Sequence, residues 1–144
     1  MGFFKKNEPS PVDGRLAALE AEYQNYRRRT AETLSEADRL AARKTVLEFL
    51  PLYDDLELAL ASTCTDEAFY HGIELIRQKL LSILASMQVQ PMDSLGKCFN
   101  PDYHEAVEHI EDTEHREEEI VAVLRTGFTM DEEVIRHAKV IVAN

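Results

Sequence analysis

A seam of side chains runs Leu16, Leu19, Tyr23, Tyr26, Thr30, Thr33, Ala37 and Leu40 in alternating steps of three and four. That spacing keeps to one side of an α-helix and is the heptad signature of helices that pair with one another. The seam is apolar at its start and polar in its middle, so it predicts a pairing helix of moderate strength. From Arg15 to Leu50 the chain has no Gly or Pro and is rich in Ala, Leu, Glu and Arg, which are strong helix formers. The stretch TVLEFLPLYDDLELAL (45–60) then widens the apolar face with Val46, Leu47, Phe49, Leu50, Tyr53, Leu56 and Leu60. Pro51 either kinks the helix or ends it, because it lacks the N–H and clashes with the carbonyl four residues back. With a kink only, residues 15–60 make a rod of roughly 70 Å at 1.5 Å per residue, more than so short a chain can bury by itself.

Residues 1–14 carry Pro9, Pro11 and Gly14 among few apolar groups and read as a disordered leader. After a turn at Ser62–Thr65, with Thr65 or Asp66 as N-cap, a second helix is expected to about Gln88. Its stripe of Phe69, Ile73, Ile76, Leu80, Ile83 and Met87 reads as core. Gly72 interrupts it at a cost of about 1 kcal/mol relative to Ala, which is explained either by close approach of another backbone or by simple tolerance near a helix start. From Val89 the texture turns β-branched. EEEIVAVLRTGF (117–128) and VIRHAKVIVA (134–143), separated by the acidic turn MDEE, predict a hairpin, and VQPM with AVEHI completes a small sheet. The fold class is α+β: two helices, over 15–88, followed by a β-rich module over 89–144.

Composition narrows the functions open to this chain. With 144 residues, 44% apolar and 30% charged, it is an ordinary water-soluble polypeptide. The formal net charge is −11, and residues 100–144 hold 12 acidic against 4 basic side chains. Such a C-terminal third repels a phosphate backbone, which argues against nucleic acid as a partner despite the run Arg27-Arg28-Arg29. There is no apolar run of membrane-span length, and MGFFKK lacks both the apolar core of a signal peptide and the Ser or Thr of a myristoylation site. Cys64 and Cys98 form no C-x-x-C pair and suit a reducing compartment. A cytoplasmic location is expected.

HEAVEH (104–109) is the one stretch that looks like chemistry, with two histidines and two carboxylates in six residues. A zincin-type helix needs His at i and i+4 with a Glu between. His104 and His109 are five apart, an offset that separates the rings on a helix and alternates them across a strand. His71, His115 and His137 add no third-ligand pattern. A metal hydrolase is therefore set aside, and no metal is expected.

The motifs NYRRRT (25–30), LPLYDDLELAL (50–60), GIEL (72–75), FNPDYHEAV (99–107) and GFTMDEEVIRHAKVIVA (127–143) together resemble the GrpE family of nucleotide exchange factors, which serve DnaK-type heat-shock chaperones. The resemblance covers nearly the whole chain from Tyr23. It implies a homodimer in which long helices pair in parallel, shorter helices complete a four-helix bundle, and each chain ends in a β-rich wing. In this reading Leu16, Leu19, Tyr23, Tyr26, Leu40, Leu47, Leu50, Leu56, Ile76 and Leu80 form the dimer interface. Arg27, Arg28, Arg29, Gly72, Phe128, Glu133, Ile135 and Arg136 meet the chaperone's nucleotide-binding domain or set the geometry behind that contact. The implied action is release of ADP from the chaperone by holding its cleft open, which makes the chain a non-enzyme with no bond chemistry, no cofactor and no nucleotide bound by the chain itself. In the resemblance HEAVEH belongs to the wing, and His104 satisfies backbone groups near the Pro101 turn.

Two departures stand out. Only about ten helical residues precede NYRRRT, fewer than the family usually has, and Glu132-Glu133 stands where the family commonly has Gly-Arg. The heptads and composition by themselves fit equally a dimeric coiled-coil scaffold or adaptor without exchange activity; the C-terminal motifs separate the two.

Overall fold

The computed structural model describes residues 10–111 and 114–143. Helix α1 spans Pro11–Ala61 and α2 spans Glu67–Ser86. Six strands follow: β1 Val89–Pro91, β2 His104–Ile110, β3 Ile120–Arg125, β4 Phe128–Met130, β5 Glu133–Arg136 and β6 Ala138–Ala143.

Helix α1 starts four residues earlier than its composition suggests. Ser10 Oγ accepts from Val12 N–H at 3.2 Å, Asp13 accepts from Ser10 N–H at 3.1 Å, and Gly14 N–H reaches Ser10 O at 3.1 Å. This is a capping box with Pro11 at the first helical position, where its missing N–H costs nothing. Residues 11–14 of the expected leader are thus helical, and its first nine lie outside the described residues. Pro51 sits at an exposed position and the helix continues through it to Ala61. Helix α2 is capped by Asp66, whose carboxylate accepts from the N–H groups of Ala68 and Phe69 at 3.0 and 3.1 Å.

Packing divides the chain into Met1–Ala42 and Arg43–Asn144. The division falls at 42/43 and not at 88/89, where the helices give way to strands. In the first unit, residues 11–42 are one helix, and none of the described side chains there is buried. The second unit holds the core. On its part of α1, Val46, Leu50, Tyr53 and Leu56 are buried, spaced so that they share one helix face. Tyr53 meets Phe128 edge to face with ring centroids 5.1 Å apart. Arg43 Nη2 donates to Val134 O at 3.2 Å, and Arg77 of α2 pairs with Glu57 of α1 at 2.7 Å. The stripe on α2 departs from its core reading: only Leu84 is buried, while Phe69, Ile76 and Ile83 are more than half exposed. The side of α2 that faces away from the rest of its own chain carries that apolar surface.

The strands form two three-stranded sheets, ordered β1-β4-β5 and β2-β6-β3. The two runs expected to form a hairpin do pair antiparallel, as β3 and β6, with Ile120 opposite Val142 and Arg125 opposite Lys139, but the acidic turn does not join them. It joins β4 to β5 instead, in a shorter hairpin that pairs with β1 in the other sheet. Strand β2 runs parallel to β6. On β6, Ala138, Val140 and Val142 alternate inward and build a core with Ile120, against which Met92, Phe99, Ala106 and Val123 pack. Gly127 precedes β4 at a point with no room for a side chain: a Cβ there would lie 2.5 Å from Ala138 N and 2.7 Å from Met92 Sδ. The β4–β5 turn is Asp131-Glu132, with φ of 50° and 68°. Two positive φ values in a two-residue loop match the right-handed twist of a hairpin, but a residue with a side chain pays a steric penalty that Gly avoids.

Candidate partner-binding surfaces

The histidine-rich stretch HEAVEH is strand β2, and its first residue is committed inside the β region. His104 Nδ1 accepts from Asn100 N–H at 3.0 Å, and His104 Nε2 lies 3.1 Å from Ser94 Oγ. Since Nδ1 must keep a lone pair for Asn100, the neutral ring carries its proton on Nε2 and donates to Ser94. A histidine that donates to a serine cannot also take that serine's proton, so the pair is no nucleophile and base. Among the described residues no three His, Cys, Asp or Glu side chains stand close enough to hold a metal ion. The reading of His104 as a residue that satisfies local backbone groups matches this geometry.

Arg27, Arg28 and Arg29 lie on the exposed helix of the first unit. The Arg27 guanidinium stands 5.9 Å from the Tyr23 ring centroid, and Arg28 reaches Glu32 at 3.6 Å. Both contacts are solvent-screened and leave the three side chains accessible. Along the same helix Leu16, Leu19, Tyr23, Tyr26 and Leu40 are between 55% and 67% exposed. A run of this size on one helix face is more apolar surface than a lone helix keeps in water.

Within the second unit the sequence-derived set separates. Ile76 is 54% exposed, and Leu47 and Leu80 are half-buried. Leu50 and Leu56, assigned from the sequence to a dimer interface, are instead 1% and 9% exposed and packed within their own chain. They fall on the α1 face that carries Tyr53 toward Phe128. Phe128 and Ile135, assigned to partner contact, are likewise buried, at 0% and 8%. Alternation along short strands sends every second side chain inward, and these two are inward.

Arg136 is also turned into the molecule. Its side chain is 11% exposed, and its Nη1 and Nη2 donate to the two carboxylate oxygens of Asp54 at 2.8 and 2.7 Å. Nε and Nη2 donate further to Thr126 O, at 3.1 and 2.7 Å, while the guanidinium stands 5.3 Å from the Phe128 ring centroid. The side chain thereby clamps β5 to α1 and to the strand crossing before β4. Asp54 and Gly127 were absent from the sequence-derived set. Gly127 had a signal, the G-F dipeptide before a β-branched run; Asp54 had only its place on an otherwise apolar helix face. The Tyr53 hydroxyl, on the same face, has its pKa raised by burial first and by the Glu57 carboxylate second.

Gly72 is half-buried on α2, and a Cβ there would meet nothing within 4 Å. Among the described residues no other backbone comes within 4 Å of that Cβ position. Glu133 opens β5 on the exposed side, next to the turn and not within it.

The GrpE family model matches residues 5–144. Among curated relatives, Protein GrpE of Lachnoclostridium phytofermentans is 33% identical, over 99% of this chain and 68% of its own length. Protein GrpE of Clostridium acetobutylicum is 38% identical over 90% of this chain and 64% of its length, and that of Bacteroides fragilis 40% over 86% and 66%. The chain spans roughly two thirds of the length of these relatives, from 64% to 68% in the three named.

Proposed function

This chain belongs to the GrpE family, and we propose that it acts as a co-chaperone, a nucleotide exchange factor for a DnaK-type heat-shock chaperone. The observation that carries the reading is the family match running through the helices and the β region alike. FNPDYHEAV and GFTMDEEVIRHAKVIVA, the motifs that set this reading apart from a plain coiled-coil scaffold, fall on the turn into β2 with its first half and on β4 to β6. The chain performs no bond chemistry and binds no nucleotide itself. It works in the cytoplasm with a protein partner, and neither nucleic acid nor membrane is part of its action. No described helix is long and apolar enough to cross a membrane.

The mechanism is a coupling of two binding equilibria. A protein that prefers the open, empty chaperone over the closed, ADP-filled one lowers ADP affinity by the factor of its own preference. A tenfold effect needs only about 1.4 kcal/mol of differential binding. Calorimetric titration of the chaperone should therefore give a weaker dissociation constant with ADP-loaded than with nucleotide-free chaperone. Equal constants would remove exchange activity from the reading.

The working form is a homodimer. Its interface is Leu16, Leu19, Tyr23, Tyr26 and Leu40 on α1 with Ile76 and the other exposed apolar residues of α2, while Leu50 and Leu56 serve the chain's own core. Arg27, Arg28, Arg29 and Gly72 are held for the chaperone on accessible helix surface. Phe128, Ile135 and Arg136 act from behind, by fixing the strand whose outer side presents Glu133. Light scattering should return twice the 16.5 kDa chain mass at micromolar concentration; a single-chain mass would overturn the dimer.

A further inference from the structure

His104 sits where one ring lone pair closes the turn that leads into β2. Its Nδ1 takes Asn100 N–H, and its Nε2 meets the hydroxyl of Ser94, which is 2% exposed. The turn so closed is internally bonded: Asp102 N–H reaches Asn100 Oδ1, and both Tyr103 and His104 N–H reach Asn100 O. Tyr103 O in turn accepts from Ala138 N–H, the first residue of β6, and the neighbouring Phe99 packs on the core. Of these bonds only the one from Asn100 N–H to Nδ1 requires a neutral ring, since Nε2–H can donate to Ser94 in either charge state. A protonated imidazole has no acceptor, and its Nδ1–H would face Asn100 N–H head on.

We propose that His104 is an acid-released latch: protonation at Nδ1 removes the bond from Asn100 N–H and lets the turn from Asn100 to His104 open, while Gly96, Lys97 and Phe99 stay bonded to Glu118 and Ile120 and the β2-β6-β3 core stays folded. Local opening below the global unfolding free energy is an ordinary property of loops held by few bonds. The groups facing the ring set the direction. Burial comes first in lowering the ring's pKa from 6.5, followed by the positive charges of Lys97 and His137. Asp93 stands 3.3 Å from Lys97 and offsets part of its field, and Cys98 and Tyr103 line the same cleft of about 380 Å³. A histidine whose folded pKa lies below its unfolded value stabilises the closed form fully above pH 6.5. That contribution is lost as pH falls from there toward the folded value, because the open form binds the proton more tightly.

The test is a pH titration of the full chain by NMR, following the His104 ring nitrogens and the amide exchange of Asn100 against that of Val140. At neutral pH the ring should show the tautomer protonated on Nε2. Between pH 7.5 and 5 the protection factor of Asn100 should fall by about tenfold, with that of Val140 unchanged. His104→Asn, which keeps an acceptor for Asn100 without titrating, should show no such fall, and His137→Gln should shift the midpoint upward while preserving it. A ring protonated on Nδ1 at neutral pH would overturn the latch, as would an Asn100 protection factor independent of pH. Parallel loss of protection at Asn100 and Val140 would also overturn it, by showing global unfolding in place of local opening.

Discussion

Phe128→Ala is expected to destabilise the second unit by about 3–5 kcal/mol, the range for deleting a fully buried aromatic side chain. Phe128 is 0% exposed and meets the edge or face of Tyr53 on one side and the Arg136 guanidinium on another. The aromatic pair alone adds roughly 0.5–1.5 kcal/mol beyond burial, and the cavity left between β4 and α1 has little freedom to collapse because Gly127 is already packed against Ala138. Urea unfolding at fixed protomer concentration, followed through the tyrosine near-ultraviolet signal, reads the change; fixed concentration matters because a dimer's apparent stability varies with it. A loss under about 1 kcal/mol would mean that α1 and the β4–β5 hairpin are not held by this contact.

Arg136→Met should cost about 2–3 kcal/mol. The substitution keeps apolar bulk over Phe128 but removes two charge-assisted bonds to Asp54 and two to Thr126 O, each of the stronger kind. Asp54 remains about one-third exposed, so water reaches it and the penalty stays below that of a fully buried orphan charge. Asp54→Asn, which retains one acceptor, should cost about half as much. In a double-mutant cycle the pair should couple by about 1–2 kcal/mol; additive losses would show that the clamp is two independent side chains. Read with chaperone binding, the same variants separate two roles. A positioning residue weakens binding in proportion to the lost stability, whereas a contact residue weakens it while the fold is intact.

Some of this was legible in the chain and some was not, for identifiable reasons. Helix α1, the Asp66 cap and the β-branched strands follow from local propensity and spacing, which act over a few residues. The Ser10 capping box is hidden in the sequence because Pro11 and Gly14 read as punctuation, although Pro is at home in the first turn of a helix. Periodicity marked the apolar positions on both helices without saying what covers them. Leu50 and Leu56 turned out to face their own chain, while Phe69, Ile76 and Ile83 face away from it. The β4–β5 hairpin inside the longer β3–β6 pairing, and the parallel β2–β6 ladder, depend on which strands meet, and alternation along one strand does not encode its neighbour. The Asp54–Arg136 clamp joins residues 82 apart in sequence, and a charged side chain near a hairpin reads as surface until its partner is known.

The decisive measurement is the release of fluorescent ADP from a DnaK-type chaperone in a stopped-flow mixing experiment, with and without this chain at increasing concentration. Exchange-factor action predicts a release rate that rises with concentration to a plateau at least about tenfold above the basal rate, the size reached when roughly 1.4 kcal/mol of lost ADP affinity is expressed entirely in dissociation. A release rate that stays at its basal value at concentrations where the two proteins demonstrably bind would contradict it and leave a dimeric adaptor in its place.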